Sequence, residues 1–332
     1  MLENYYMSKA IKKAWRYQLL TYPNPAVGAV VVKENKIIAC EAHKKAGDTH
    51  AELEVVKKAY HYISDDKKIM KIKEPQKIYD YIIIHHNNIF KNCDIYTTLE
   101  PCSHEGKTPS CAKLIKKMSF KNVYIGSLDF NIIASNGAKI LKNANIDVSI
   151  GISKQNCGIL LSPFYKYQQG GFCFFKLAMR ADGTINHGQI SSKKTTKIVH
   201  KLRSLVDLLV IGGNTVRTDR PILDTRMYKK SSKNPDVLIY SKKTNFDKTI
   251  KLFEIKHRDV TVSSNLNKAT KNKFVMIEGG FDMIKAVHNH IDMTMLIVNT
   301  TTSKSEKYQK FVDKYQLLYR VNIANDTIYY LL

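Results

Sequence analysis

The stretch TLEPCSHEGKTPSC, Thr98 to Cys111, ends a β-rich run and opens a helical one, and it carries two thiols, Cys102 and Cys111, with eight residues between them. About fifty residues upstream, DTHAELEVVKKA (Asp48 to Ala59) sets His50 and Glu52 two residues apart at the start of another helix. Alone, that pair reads as ordinary surface polarity on an amphipathic helix. Joined to the two cysteines it becomes a constraint on the fold. One histidine and two thiolates are three ligands, and three protein ligands with one open position are the layout of a catalytic zinc. Zinc at such a site brings the pKa of its water towards neutrality. Attack on an amidine-like carbon also needs a shuttle that takes the proton of water and hands it to the leaving nitrogen. Glu52, part of a turn beyond His50, is placed to be that shuttle without being a ligand.

The rest of the chain reads as alternating strands and helices. YYMSKAIKKAW has helical apolar spacing, and AVGAVVV and KIIAC, separated by KENK, read as a hairpin. After the helix at His50 come DIYTTLE (strand), CAKLIKKM (helix), NVYIGSLD (strand), GAKILKNA (helix) and DVSIGI (strand). This alternation predicts a layered α/β domain with helices on both faces. A helix around Gln155–Gln168 and the pair Gly170-Gly171 lead to a second series. Its strands are FCFFKLAM, DLLVIG, DVLIYS, KFVMIEGG, DMTMLIVN and DTIYYLL, with the helix KKTTKIVHKLRSL after the first. The domains are expected at 1–150 and 170–332. Lys57–Asn92 is hydrophilic, lysine-rich and longer than a helix-to-strand link requires, so it reads as an insertion or a long excursion within the first domain.

A net charge of +24 first suggests nucleic acid. Only eight of the 53 basic residues are arginine, however, and the lysines are spread along the whole chain, which reads as solvated surface. No nucleic-acid partner is expected. Charged residues interrupt the N-terminal segment, and no apolar run approaches the roughly 18–20 residues of a membrane span. A cytoplasmic protein is expected, its six cysteines being thiols or metal ligands.

His-x-Glu followed by Pro-Cys and a second Cys is the signature of the zinc deaminases. TYPNPAVGAVVV, the H…AGDTHAE stretch and TLEPCSHEGKTPSC, with its wide cysteine spacing, go further. They resemble the bifunctional riboflavin-biosynthesis family, in which a diaminohydroxyphosphoribosylaminopyrimidine deaminase is joined to a 5-amino-6-(5-phosphoribosylamino)uracil reductase. The resemblance implies a cytidine-deaminase-like three-layer domain with zinc on His50, Cys102 and Cys111 and Glu52 as the catalytic acid/base. It further implies that Asn24, His43, His104, Lys107, Asp129 and Asn131 line the pyrimidine and phosphate pocket. DFNI at Asp129–Ile132 departs from the family by losing two prolines.

In the second half four of the eight arginines lie between Arg203 and Arg226, around GGNTVRTDRPILDTR. The planar fork of arginine suits phosphate. The Gly-Gly turns after DLLVIG and in IEGG are candidates for close approach to a dinucleotide. Neither is the G-x-G-x-x-G fingerprint, so a Rossmann domain is not supported. FKLAMRADG, TVRTDRPILDTR and IEGG resemble the reductase domain of the same family, which has a dihydrofolate-reductase-like fold and uses NADPH. The resemblance implies substrate contacts at Arg203, Leu223, Arg226 and Glu278, and NADPH contacts at Ala178, Thr215, Asp219, Ser241 and Gly280. The implied partners are phosphorylated pyrimidines, with a homo-oligomer expected. The segment after Asp182-Gly183 is shorter than the family's, and the sole Trp is Trp15, so the cofactor pocket is expected to be built differently there. Two alternatives stand beside this reading: a zinc deaminase acting on RNA, and a deaminase whose second domain has decayed to a scaffold.

Overall fold

The computed structural model describes residues 2–104, 106, 108–130, 135–185, 188–228, 233–300 and 307–332. The chain divides into two compact units after Ser162.

The first unit contains α1 (Leu2–Trp15), β1 (Gly28–Lys33), β2 (Lys36–Ala42), α2 (Ala51–Ser64), α3 (Lys68–Lys71), α4 (Pro75–His85), β3 (Cys93–Leu99), α5 (Cys111–Met118), β4 (Asn122–Ser127), α6 (Gly137–Lys142) and β5 (Asp147–Ile150). The sheet order is β2-β1-β3-β4-β5. The expected hairpin β1–β2 is antiparallel, β1 pairs antiparallel with β3, and β3, β4 and β5 run parallel. Gly28 to Val32 are all buried, so β1 is covered on both faces, as a layered domain requires. Helix α1 lies so close to β1 that a Cβ on Gly28 would sit 2.1 Å from the Ala10 carbonyl oxygen.

The insertion is shorter than expected. Helix α2 runs on to Ser64 and stops at Asp65, whose φ of 55° breaks the helix. Beyond Asp65 the chain forms two further helices instead of a hydrophilic excursion, because Ile69, Ile78 and Ile82 bury completely beneath the lysines. Asp66 pins this segment by accepting hydrogen bonds from the hydroxyls of Tyr81 (2.6 Å) and Tyr60 (3.4 Å).

Helix α7 (Lys154–Gln168) carries the boundary between the units. The second unit then contains β6 (Phe172–Arg180), α8 (Lys193–Arg203), β7 (Leu208–Gly212), α9 (Gly213–Asp219), β8 (Asp236–Tyr240), β9 (Val260–Ser263), α10 (Asn267–Thr270), β10 (Phe274–Glu278), α11 (Phe281–Val287), β11 (Met293–Asn299), α12 (Gln309–Val312), β12 (Leu317–Ile323) and β13 (Asp326–Leu331). The sheet order is β12-β13-β11-β6-β10-β7-β8-β9. It is parallel from β11 to β9 and ends in an antiparallel β12–β13 hairpin. Strands β10 and β11 are buried along their whole length, the pattern of a parallel sheet covered on both faces. Phe175, Leu177, Met179, Val210, Ile277 and Leu296 are among the residues of its core. No helix among the described residues is long and apolar enough to cross a membrane.

Candidate functional site

In the first unit the fold joins the pieces that the sequence keeps about fifty residues apart. His50 is the residue capping the head of α2, with extended backbone (ψ 159°) that frees its ring to turn away from the helix. Its Nδ1 lies 3.6 Å from Cys102 Sγ and 3.5 Å from Cys111 Sγ. Ser110 caps α5, accepting from the Lys113 amide, and its hydroxyl donates to the Cys102 carbonyl at 2.9 Å. Cys102 and the helix head bearing Cys111 are therefore one rigid piece.

The three donor atoms lie within 4.8 Å of one another. Tetrahedral zinc with ordinary Zn–N and Zn–S lengths separates its N and S ligands by about 3.6 Å, which is the separation found here. The residues fit zinc. The second ring nitrogen of His50 lies 3.1 Å from Thr108 Oγ1. With Nδ1 facing the sulfurs, Nε2 carries the proton and donates to Thr108, an orienting contact that sequence reasoning missed.

Glu52 is buried beside this group, at 4% exposure. Burial, and then the charge of Cys102, push its carboxyl up to about 7. The charge of His50 works against that rise. Cys102 is pushed down to about 4, chiefly by its hydrogen bond with Cys111 and then, against burial, by His50. Cys111 is raised by the same shared proton and by burial. A buried glutamate poised near neutrality is what a proton shuttle requires.

His43 is also buried. Its Nε2 accepts from Asn24 Nδ2 at 3.1 Å, its Nδ1 donates to the Thr49 carbonyl at 2.9 Å, and its ring stands edge-on to His50 at 5.5 Å. Two of the expected pocket residues are thus brought to the metal ligand. His104 is exposed in the loop between the cysteines, and Asp129 is half-buried. Lys107 and Asn131 lie outside the described residues. Glu100 was not among the expected site residues. It is buried and ties this region together, accepting from the amides of Asp129 (3.1 Å) and Ala138 (2.9 Å). The chain passes so tightly there that a Cβ on Gly137 would fall 1.8 Å from the Pro101 carbonyl oxygen.

The second unit holds a different polar cluster at the C-terminal ends of its parallel strands. Arg203, at the end of α8, donates twice to Glu278, at the end of β10. Lys176 Nζ on β6 stands 3.7 Å from the same carboxylate. Burial works to raise the Glu278 carboxyl, but Arg203 and then Lys176 outweigh it and hold it at about 2. Burial lowers the Lys176 ammonium despite Glu278. Lys176 shares a face of β6 with Ala178, while Phe175, Leu177 and Met179 alternate into the core. It was not among the expected residues, although a lysine inside FCFFKLAM was a visible signal.

Leu223 is buried with φ 57°, a strained conformation for a branched residue. Arg258 holds this turn through the carbonyls of Ile222 (3.0 Å), Leu223 and Pro235 (2.9 Å). Arg226 is exposed and pairs with Asp224 at 2.6 Å. Thr215 lies near Gly212, Asp219 is exposed, and the Ser241 side chain packs over Gly213. Gly280 starts α11, and a Cβ there would meet Ile185 Cδ1 at 2.7 Å. Ile185, in the segment after Gly183, thus lies against the glycine turn that opens α11.

Residues 2–127 match the cytidine and deoxycytidylate deaminase zinc-binding region, and residues 172–325 match the RibD C-terminal domain. The chain is 33% identical over 234 residues to the riboflavin biosynthesis protein RibD of Bacillus amyloliquefaciens, an alignment covering 68% of this chain and 56% of the relative. It is 32% identical over 233 residues to RibD of Aquifex aeolicus, covering 68% and 58%. The chain thus spans a little over half the length of the curated relatives it matches. Among solved structures, Acinetobacter baumannii RibD superposes with a TM-score of 0.64 at 22% identity, covering 100% of this chain and 98% of that one. A Thermotoga maritima diaminohydroxyphosphoribosylaminopyrimidine deaminase/5-amino-6-(5-phosphoribosylamino)uracil reductase superposes with a TM-score of 0.61 at 23% identity, covering 99% and 98%. These likenesses establish a shared fold. With a zinc-binding deaminase region followed by a RibD C-terminal domain, the chain belongs to the RibD family.

Proposed function

We propose that the chain catalyses two successive steps of riboflavin biosynthesis, deaminating a diamino-hydroxy-phosphoribosylaminopyrimidine and then reducing its ribosyl group to ribityl with NADPH. Deamination is assigned to 1–150 and reduction to 170–332. The observation that carries the first assignment is the convergence of His50, Cys102 and Cys111 beside buried Glu52.

In the deamination, water adds to the ring carbon that bears the exocyclic amine, the C–N bond breaks and ammonia leaves. Zinc, held by His50, Cys102 and Cys111, supplies Lewis acidity when bound. Glu52 takes the proton of the attacking water and returns it to the leaving nitrogen. A carboxyl poised at about 7 is matched to giving and taking a proton in turn. Asn24 and the His43 it fixes border the substrate, with His104 and Asp129 on the loops around them; Lys107 and Asn131, outside the described residues, are assigned to the same pocket.

Reduction adds a hydride and a proton across the C=N bond of the ring-opened sugar. NADPH supplies the hydride when bound, and the protein positions the reactants and excludes water. Glu278, locked by Arg203, offers a fixed carboxylate to the pyrimidine, Leu223 borders it, and Arg226 takes the phosphate. Arg203 is committed to Glu278, so in this reading it sets the carboxylate and does not grip the phosphate itself. Ala178, Thr215, Asp219, Ser241 and Gly280 line the dinucleotide path. The protein works as a homo-oligomer in the cytoplasm, where cysteines that are thiols or metal ligands are at home.

The test is to supply the deamination substrate with NADPH and follow ammonia release and NADPH oxidation in one preparation. Both are expected, in that order. Ammonia release without oxidation, even when the deaminated intermediate is supplied, would leave the second unit a scaffold. The absence of both activities would refute the proposal.

A further inference from the structure

The arginines of the second unit are nearly all spoken for. Arg203 is paired with Glu278, Arg220 with Asp247 and Thr249, Arg226 with Asp224, and Arg258 with backbone carbonyls. Arg217 differs. Its guanidinium carbon lies 4.3 Å over the centre of the buried Phe246 ring, and its Nη2 is buried with no hydrogen-bond partner among the described residues. A buried guanidinium N–H with no acceptor is costly, and it marks a place where an acceptor from outside the chain belongs.

The surroundings are built to hold that side chain in place. Arg217 is four residues beyond Gly213 on α9 and lies back over it, as helical side chains do. A Cβ on Gly213 would meet Ser241 Cβ at 2.7 Å and Arg217 Nη1 at 3.1 Å. Glycine at 213 is therefore what lets the end of β8 and the Arg217 fork converge. With one face on an aromatic ring, the fork presents its edge to a planar or tetrahedral oxyanion, and phosphate is the natural partner. As a whole Arg217 is only part-buried, so the group is within reach of a ligand.

The position selects among the phosphates. In open parallel sheets ligands lie across the carboxyl ends of the strands. Glu278 ends β10, and β7 and β8 follow it in order on one side. At about 4.8 Å per strand, β8 is about 10 Å across the sheet from β10, the strand that Glu278 ends. A dinucleotide with its nicotinamide beside Glu278, and its pyrophosphate near the two Gly-Gly turns, carries its adenosine half outward over β7 and β8. The phosphate at that end is the one on the adenosine ribose, present in NADPH and absent from NADH.

We propose that Arg217, stacked on Phe246 and packed over Gly213 beside Ser241, binds the 2′-phosphate of the dinucleotide and so selects NADPH over NADH. This rests on the reading of the second unit as a dinucleotide-dependent reductase.

The test is calorimetric titration of the full-length, zinc-loaded protein with NADPH and, separately, with NADH, for wild type, Arg217→Ala and Arg217→Lys, with melting temperatures as the control for folding. Charge-assisted hydrogen bonds of this kind predict a roughly ten- to hundredfold loss of NADPH affinity in Arg217→Ala. NADH affinity should be unchanged and the melting temperature kept. Arg217→Lys, which retains the charge but not the fork, should fall between. Equal weakening of NADPH and NADH would overturn the proposal, placing Arg217 at the pyrophosphate or in the fold. Unchanged NADPH affinity in Arg217→Ala would overturn it too, leaving the residue as packing on Phe246. Wild-type protein that binds neither dinucleotide would overturn the reductase reading itself, and this inference with it.

Discussion

Arg203 closes on Glu278 through two hydrogen bonds, Nε to Oε1 at 2.7 Å and Nη2 to Oε2 at 3.0 Å, joining the last turn of α8 to the end of β10. Both side chains are largely shielded from water. Removing one partner of such a pair strands the other charge, at a cost of about 3–5 kcal/mol. Glu278→Gln should therefore destabilise the second unit by that order in urea unfolding. A loss below about 1 kcal/mol, the range of exposed pairs, would mean that the pair does not hold the strand end.

The same cluster sets a pH dependence. Glu278 is held at about 2 in the fold, below its ordinary carboxylate value. Its contribution to stability is thus complete above the ordinary value and is lost as pH falls from there through about 2. His200 acts earlier. Burial, and then Arg203, push it down to about 4, so it is neutral in the fold but takes a proton on unfolding below its ordinary value near 6.5. The unfolded chain binds more protons between those limits, and stability should fall as pH drops from about 6.5 to 4. His200→Gln should flatten that limb of the stability profile. An unchanged profile would show that His200 is not the titrating group.

One zinc per chain is expected from elemental analysis, and Cys102→Ser or Cys111→Ser should lose it. Thr108→Val removes the oxygen that His50 Nε2 meets at 3.1 Å while leaving the ligands intact. Orienting contacts of this kind are worth roughly ten- to a hundredfold in metal affinity. A competition titration with a chelator should show that loss. Full zinc retention after Cys102→Ser would refute the ligand set.

Arg226 is exposed and engaged only by Asp224 among the described residues. If it grips the substrate phosphate, Arg226→Ala should weaken substrate binding in the reduction by roughly ten- to a hundredfold. Zinc content and NADPH affinity should hold. A dephosphorylated substrate should be treated alike by mutant and wild type. If the mutant discriminates against that substrate as strongly as wild type does, the phosphate site is elsewhere.

The metal set was legible because its chemistry admits few residue types, and three of them stood at strand and helix ends. Central strands were legible for a similar reason, since two-sided burial leaves continuous apolar runs such as DLLVIG and DMTMLIVN. Two strands escaped notice, β9 and β12, and they are the two edges of the second sheet. Edge strands have no fully buried face, and β12 alternates without a clear apolar side. The insertion misled because lysines mask Ile69, Ile78 and Ile82. Thr108, Glu100, Lys176 and Arg258 were missed because each acts through a partner distant in the chain. No local spacing announces that a threonine faces a histidine 58 residues away.

If one chain holds two separable reactions, the first rests on Glu52, a buried carboxyl that is not a metal ligand. Glu52→Gln tests it most directly, with zinc content and both half-reactions measured on the same preparation. Expected are one zinc per chain as in wild type, deamination lowered roughly a hundred- to ten-thousandfold, and undiminished NADPH oxidation when the deaminated intermediate is supplied. Deamination at near wild-type rate would contradict it.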